Sequence, residues 1–96
     1  MPTSQSFVYI MTDEQHSRLY TGRTGNLKHR IAQHRSGNGA VTTRRYNLIK
    51  LVYYETVEDT TAAKLREKKI KRYSKKKRLS LIEAMNPEWD DLFERL

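Results

Sequence analysis

The stretch Phe7-Val8-Tyr9-Ile10-Met11, followed after Thr12 to Ser17 by Arg18-Leu19-Tyr20-Thr21-Gly22, decides the fold. Short β-branched and aromatic runs bounded by polar residues read as strands. Joined by one brief polar connection, these two read as a hairpin whose second strand stops at Gly22. The register stays open, because Asp13-Glu14-Gln15-His16 is not one of the strong two-residue turn signals. A pairing that sets Tyr9 opposite Tyr20 places both phenols on one sheet face. Taken alone, strand tyrosines are more often packing residues than chemistry.

Working outward, Leu27 and Ile31 lie four apart, Asn26 or Thr24 can cap, and Gly37 and Gly39 close the segment, which predicts a helix of about three turns. Residues 37 to 47 read as an exposed loop. Leu48-Ile49-Lys50-Leu51-Val52-Tyr53-Tyr54 is the third strand, apolar enough to be the central or best-buried one. Asp59-Thr60-Thr61 starts a second helix through Ala62, Ala63, Ile70 and Tyr73, and a third takes in Leu79, Leu81, Ile82 and Met85. Pro87 then suits the first turn of a last helical piece containing Trp89, Leu92, Phe93 and Leu96. The order β-β-α-β-α-α gives an α+β fold, a small three-stranded antiparallel sheet flanked by helices.

At 96 residues the chain reads as one domain, 1–96. Lys+Arg 19 against Asp+Glu 11 give a net charge of +8, which favours a polyanionic partner. Lys64, Arg66, Lys68, Lys69, Lys71, Arg72 and the run Lys75 to Arg78 concentrate that charge around a single acid, Glu67. Beyond Glu83 the balance turns acidic, so one face binds and another turns away. The absence of cysteine excludes a disulfide framework and a thiolate zinc site. No apolar run reaches the roughly 18 residues of a membrane span, and Met1 to Ser6 lack a signal pattern. The expectation is a cytoplasmic protein without a membrane or small-molecule cofactor.

Five side chains stand out. Arg30 and His34 are four apart and share a helical face next to the one carrying Leu27 and Ile31, at the rim of the core. The plain alternative is a solvated pair. His16 and His29 have no such partner and read as surface residues. Glu67 falls at the edge of the apolar stripe of its helix, where it is either an ion-pair partner for Lys64, Lys71 or Arg66 or a hard-oxygen ligand of the kind Mg²⁺ accepts. Arg66 falls inside the apolar arc and must snorkel or meet an anion. Tyr9 and Tyr20 complete the set.

Phe7-Val8-Tyr9, then Tyr20-Thr21-Gly22, then Arg30 and His34 on one helix and Glu67 on a later one, together resemble the GIY-YIG nuclease superfamily. The likeness is to its small stand-alone bacterial branch related to the UvrC catalytic domain. Leu51-Val52-Tyr53-Tyr54-Glu55, Arg66-Glu67-Lys68-Lys69-Ile70-Lys71 and Asn86-Pro87-Glu88-Trp89-Asp90-Asp91-Leu92 extend it along the chain. Phe7 replaces the glycine that opens the first motif, and Thr21 an aliphatic in the second; both are expected to be tolerated. Larger relatives also carry a further asparagine after the metal carboxylate.

The resemblance implies a divalent-metal-dependent endonuclease hydrolysing DNA, with RNA left open, at low sequence specificity or directed by structure, in repair or recombination. Glu67 would hold Mg²⁺ or Mn²⁺ and Arg30 would stabilise the transition state. Tyr9 would orient or deprotonate the water, with Tyr20 and His34 sharing the proton network; either Tyr9 or His34 is the base. Arg23, Arg45, Lys68, Lys71, Lys75 and Lys76 would contact the nucleic-acid backbone. The rival classes are a non-catalytic nucleic-acid-binding module with the same fold and an interaction protein acting through its acidic end.

Overall fold

The computed structural model describes residues 5–96. Residues 1–4, which hold most of the stretch screened for a signal pattern, lie outside it. Strands β1 (Ser6–Thr12), β2 (Leu19–Thr24) and β3 (Lys50–Val57) form one antiparallel sheet in the order β2-β1-β3. Helices α1 (Leu27–Arg35) and α2 (Val41–Arg45) precede β3, while α3 (Thr60–Lys71) and α4 (Lys75–Met85) follow it, and a 3-10 turn, Leu92–Arg95, comes last.

The expected α+β architecture is present, with local corrections. β1, not β3, is the central strand: six of its seven residues are buried, and it pairs on both sides. β3 is an edge strand whose apolar run is buried because helices cover both sheet faces. β2 does not stop at Gly22 but continues through Thr24. Residues 37 to 47 are not wholly loop, since α2 lies within them; its Val and Thr residues have weak helix propensity and leave no periodic signal. Pro87 opens no helix, and only the 3-10 turn follows it.

Alternation along β1 divides the core. Val8 and Ile10 pack with Val52, Ala63, Ile70 and Ile82 beneath α3 and α4. Tyr9 and Met11 pack with Leu27, Ile31, Leu48, Leu51 and Leu92 on the α1 side. Each fully buried isoleucine here contributes about 1.5–3 kcal/mol. The β1–β2 connection closes on Asp13, whose carboxylate accepts from the Ser17 and Arg18 amides at 2.7 and 3.2 Å and from the Ser17 hydroxyl. Burial would raise that carboxyl, but these donors outweigh it and hold it at about 2.

Helix ends follow the sequence closely. Asn26, Asp59 and Ser74 each accept from an amide in the first turn of α1, α3 and α4. Arg66 meets an anion: it donates to Glu55 at 2.6 and 3.2 Å and to the Tyr73 hydroxyl at 3.2 Å, clasping α3 to β3. His16 is not a free surface residue, because its ring stacks on Trp89 at 4.5 Å and meets Lys50 Nζ at 3.0 Å. No helix among the described residues is long and apolar enough to cross a membrane.

Candidate active site

Tyr9 pairs with Gly22 and Tyr20 with Met11, so the two tyrosines are diagonal and not directly opposite. They still share the α1-facing side, with ring centroids 6.4 Å apart. A Cβ on Gly22 would fall 2.5 Å from the Tyr9 hydroxyl and 3.0 Å from the Tyr20 ring. Glycine is required there by close approach: the Tyr9 phenol crosses directly over the backbone of the edge strand β2.

That phenol ends on His34. Tyr9 Oη and His34 Nε2 are 2.8 Å apart, and His34 Nδ1 lies 2.8 Å from the Thr43 hydroxyl. His34 is 1% exposed, so it is sealed inside the molecule and not placed at the rim as its helical position suggested. The Tyr20 ring meets the imidazole edge-on with centroids 5.5 Å apart. Burial first, and the Arg30 guanidinium second, push the imidazole down to about 4, which leaves it neutral at pH 7.

Tyr9 is pushed the other way, up to about 12. Burial is the main cause and the Tyr20 phenol adds to it; Arg30 pulls against both by hydrogen bonding and charge, and Glu67 adds a further rise. Arg30 and Glu67 therefore both act on this one phenol, from α1 and α3 on either side of the β2 edge. Arg30 is half-buried and donates to Gln33 Oε1 at 3.2 Å.

Glu67 accepts from Arg23 Nε at 3.1 Å and pairs with Lys71 Nζ at 3.4 Å. Of the three cations weighed from the sequence only Lys71 engages it, joined by Arg23 from β2. Such half-exposed pairs are worth about 0–1 kcal/mol and are exchangeable. The carboxylate borders a cleft of about 400 Å³ lined otherwise by Arg23, Lys64, Lys68, Lys71 and Arg72. A lone carboxylate at such a cleft suits a hard cation whose other ligands are water and phosphate oxygens; among the described residues no three metal-ligating side chains cluster.

The cations singled out from the sequence divide into two groups. Arg23, Lys68 and Lys71 line the Glu67 cleft. Lys75 donates to the Ser17 carbonyl at 3.1 Å, just before β2 begins, and Arg45 and Arg18 lie over the Tyr46 ring at 5.5 and 3.8 Å. Ser17 is six residues from Arg23, about 20 Å along an extended chain. Lys76 is exposed.

Two residues at the site escaped the sequence reading. Thr43 bonds His34, and Gly39 packs so tightly that a Cβ would collide with His34 Nδ1 and lie 2.9 Å from its Cα. The available signal was the Gly37/Gly39 pair, read as a helix stop when it also lets the chain fold back onto His34. Asn86, the sole asparagine after Glu67, serves the fold: its side chain bonds the Val52 and Asp90 carbonyls at 3.1 and 2.8 Å and accepts from the Asp90 amide at 3.0 Å.

Known proteins are similar to this chain in sequence and fold. The family signature described as "GIY-YIG catalytic domain" matches residues 5–80. A UPF0213 protein of Clostridium perfringens is 42% identical over 79 residues, covering 82% of this chain and 84% of that protein. Another from Staphylococcus haemolyticus is 39% identical over 80 residues, covering 83% and 96%. The solution NMR structure of a UPF0213 protein from Bacillus halodurans superimposes with a TM-score of 0.57 at 29% identity, covering 91% of this chain and 92% of that one. The signature over residues 5–80, the identity of 42 and 39% to these relatives and the shared fold place the chain in the GIY-YIG catalytic-domain family, among its small UPF0213 proteins.

Proposed function

We propose that this chain is a divalent-metal-dependent endonuclease that hydrolyses phosphodiester bonds in DNA, directed by structure or backbone and not by base sequence. The observation that carries the reading is the convergence on the β2 edge of a hydrogen-bonded Tyr9–His34 pair, Arg30 and Glu67, beside a cleft with five cationic side chains. Repair or recombination suits an enzyme that responds to nucleic-acid structure.

Glu67 would hold the metal, Mg²⁺ or Mn²⁺, with Arg23 and Lys71 released to the substrate phosphates. When bound, the ion supplies Lewis-acid activation of the phosphate and charge stabilisation on the leaving oxygen. Arg30 provides the planar guanidinium that matches phosphate geometry in the transition state. At about 12, the Tyr9 phenol is protonated at neutral pH. It takes the water proton while passing its own to His34 Nε2, and Arg30 eases the transient negative charge on its oxygen. Tyr20 shields the imidazole edge, which keeps this proton path out of bulk water.

Arg23, Lys68 and Lys71 grip phosphates next to the scissile one, whereas Lys75, Lys76 and Arg45 grip the strand farther along. Phosphate contacts position without reading sequence, so broad recognition follows. The second reading, a binding module without chemistry, draws on the Glu67 ion pairs, which already satisfy the carboxylate. A panel of branched, nicked, single-stranded and duplex DNA, with RNA alongside, tests the two in Mg²⁺ and in Mn²⁺. Cleavage lost in Arg30→Ala with binding kept supports the enzyme; salt-sensitive binding without cleavage of any substrate supports the module.

A further inference from the structure

We infer that Thr43 is a positioning residue that fixes the tautomer of His34 and so sets the direction in which the Tyr9 proton moves. The Thr43 hydroxyl lies 2.8 Å from the Ala40 carbonyl oxygen and 2.8 Å from His34 Nδ1. A carbonyl only accepts, so the single hydroxyl proton of Thr43 goes to Ala40. Thr43 Oγ1 must then accept from His34, which places the imidazole proton on Nδ1. Nε2 is left bare and faces Tyr9 Oη at 2.8 Å, so the phenol is the donor. Every hydrogen bond in the chain Tyr9, His34, Thr43, Ala40 points one way, and its end is anchored by main chain.

The surroundings hold this arrangement in place. His34 is 1% and Thr43 also 1% exposed, so water does not compete for either ring nitrogen. Gly37 adopts φ 85° and Gly39 packs without a side chain against the imidazole, which lets α2 fold back over α1. The residue type is constrained: valine keeps the shape of threonine but offers no acceptor, and serine keeps the acceptor. With Nδ1 deprived of a partner, the proton moves to Nε2, where it opposes the Tyr9 hydroxyl and blocks acceptance of its proton. This consequence for catalysis rests on the nuclease reading, whereas the tautomer itself does not.

Histidine-selective ¹⁵N labelling of the full chain tests the inference through two-bond ¹H–¹⁵N spectra of His34, which separate protonated from bare ring nitrogens. Wild type and Thr43→Ser should carry the proton on Nδ1. In Thr43→Val the ratio of the Nδ1–H to the Nε2–H form should fall about tenfold, the value of one buried hydrogen bond. A proton on Nε2 in the wild type overturns the inference without any variant, so a poorly folding valine protein does not protect it. An unchanged ratio in folded Thr43→Val overturns it equally. DNA cleavage should drop about 10²-fold in Thr43→Val with DNA affinity unchanged, and recover in Thr43→Ser. If the tautomer shifts as described while the wild type cuts nothing, the role of Thr43 stands and the nuclease reading is what fails.

Discussion

Acidification from pH 7 to pH 5 should destabilise this protein mainly through His34. Its folded pKa of about 4 lies below the ordinary 6.5, so the unfolded chain binds the extra proton. The neutral-imidazole contribution is therefore complete above about pH 6.5 and is lost as pH falls toward 4. At 1.36 kcal/mol per unit, the full difference approaches about 3 kcal/mol, of which about 2 kcal/mol is lost by pH 5. Among the described residues Arg30 is the charged group that acts on the ring, and Tyr9, Tyr20, Thr43 and Gly39 pack around it. His16 is also lowered, by burial and then by Lys50, and acts with the same sign, so wild type alone does not isolate the effect. Urea unfolding at pH 7, 6 and 5 should be compared between wild type and His34→Gln, with wild type losing about 2 kcal/mol more by pH 5. Parallel profiles would refute a buried, neutral His34.

Other substitutions probe the same frame. Gly22→Ala should cost about 1–3 kcal/mol by forcing Tyr9 off His34, seen as a lower urea midpoint and lost cleavage; a wild-type midpoint would count against the close approach. Thr21 is 3% exposed and its hydroxyl has no partner among the described residues, so Thr21→Val should stabilise by about 1 kcal/mol, and a lower melting temperature would contradict that burial. Asn86→Ala should lose about 2–3 kcal/mol and expose residues 87–96 to proteolysis, because it leaves the Val52 and Asp90 carbonyls without their donor. An intact, protease-resistant C-terminal segment would show that the asparagine does not hold it.

Much of this fold is legible because its signals are local. The β1 run, the Asn26 and Asp59 caps and the Leu27/Ile31 spacing each carry their own physical reason. Centrality of a strand is different in kind: Leu51, Val52 and Tyr53 look as buried as a central strand because helices cover both faces, and apolar runs record burial, not neighbours. The five site residues were readable as types at spacings. Their relations were not, since Tyr9 meets His34 across 25 positions and Arg23 meets Glu67 across 44. The seal over His34 was hidden for the same reason: Thr43 looks like any threonine in a polar loop until α2 folds back.

Single-turnover cleavage of a branched DNA in Mg²⁺ by wild type and by Glu67→Gln, with binding measured on the same samples, tests the central claim most directly. The variant removes the one carboxylate from a cleft of five cations, so it should bind DNA as well as wild type or more tightly while cutting at least about 10²-fold more slowly. Equal cleavage rates, or DNA binding by wild type with no metal-dependent cleavage, would contradict the account.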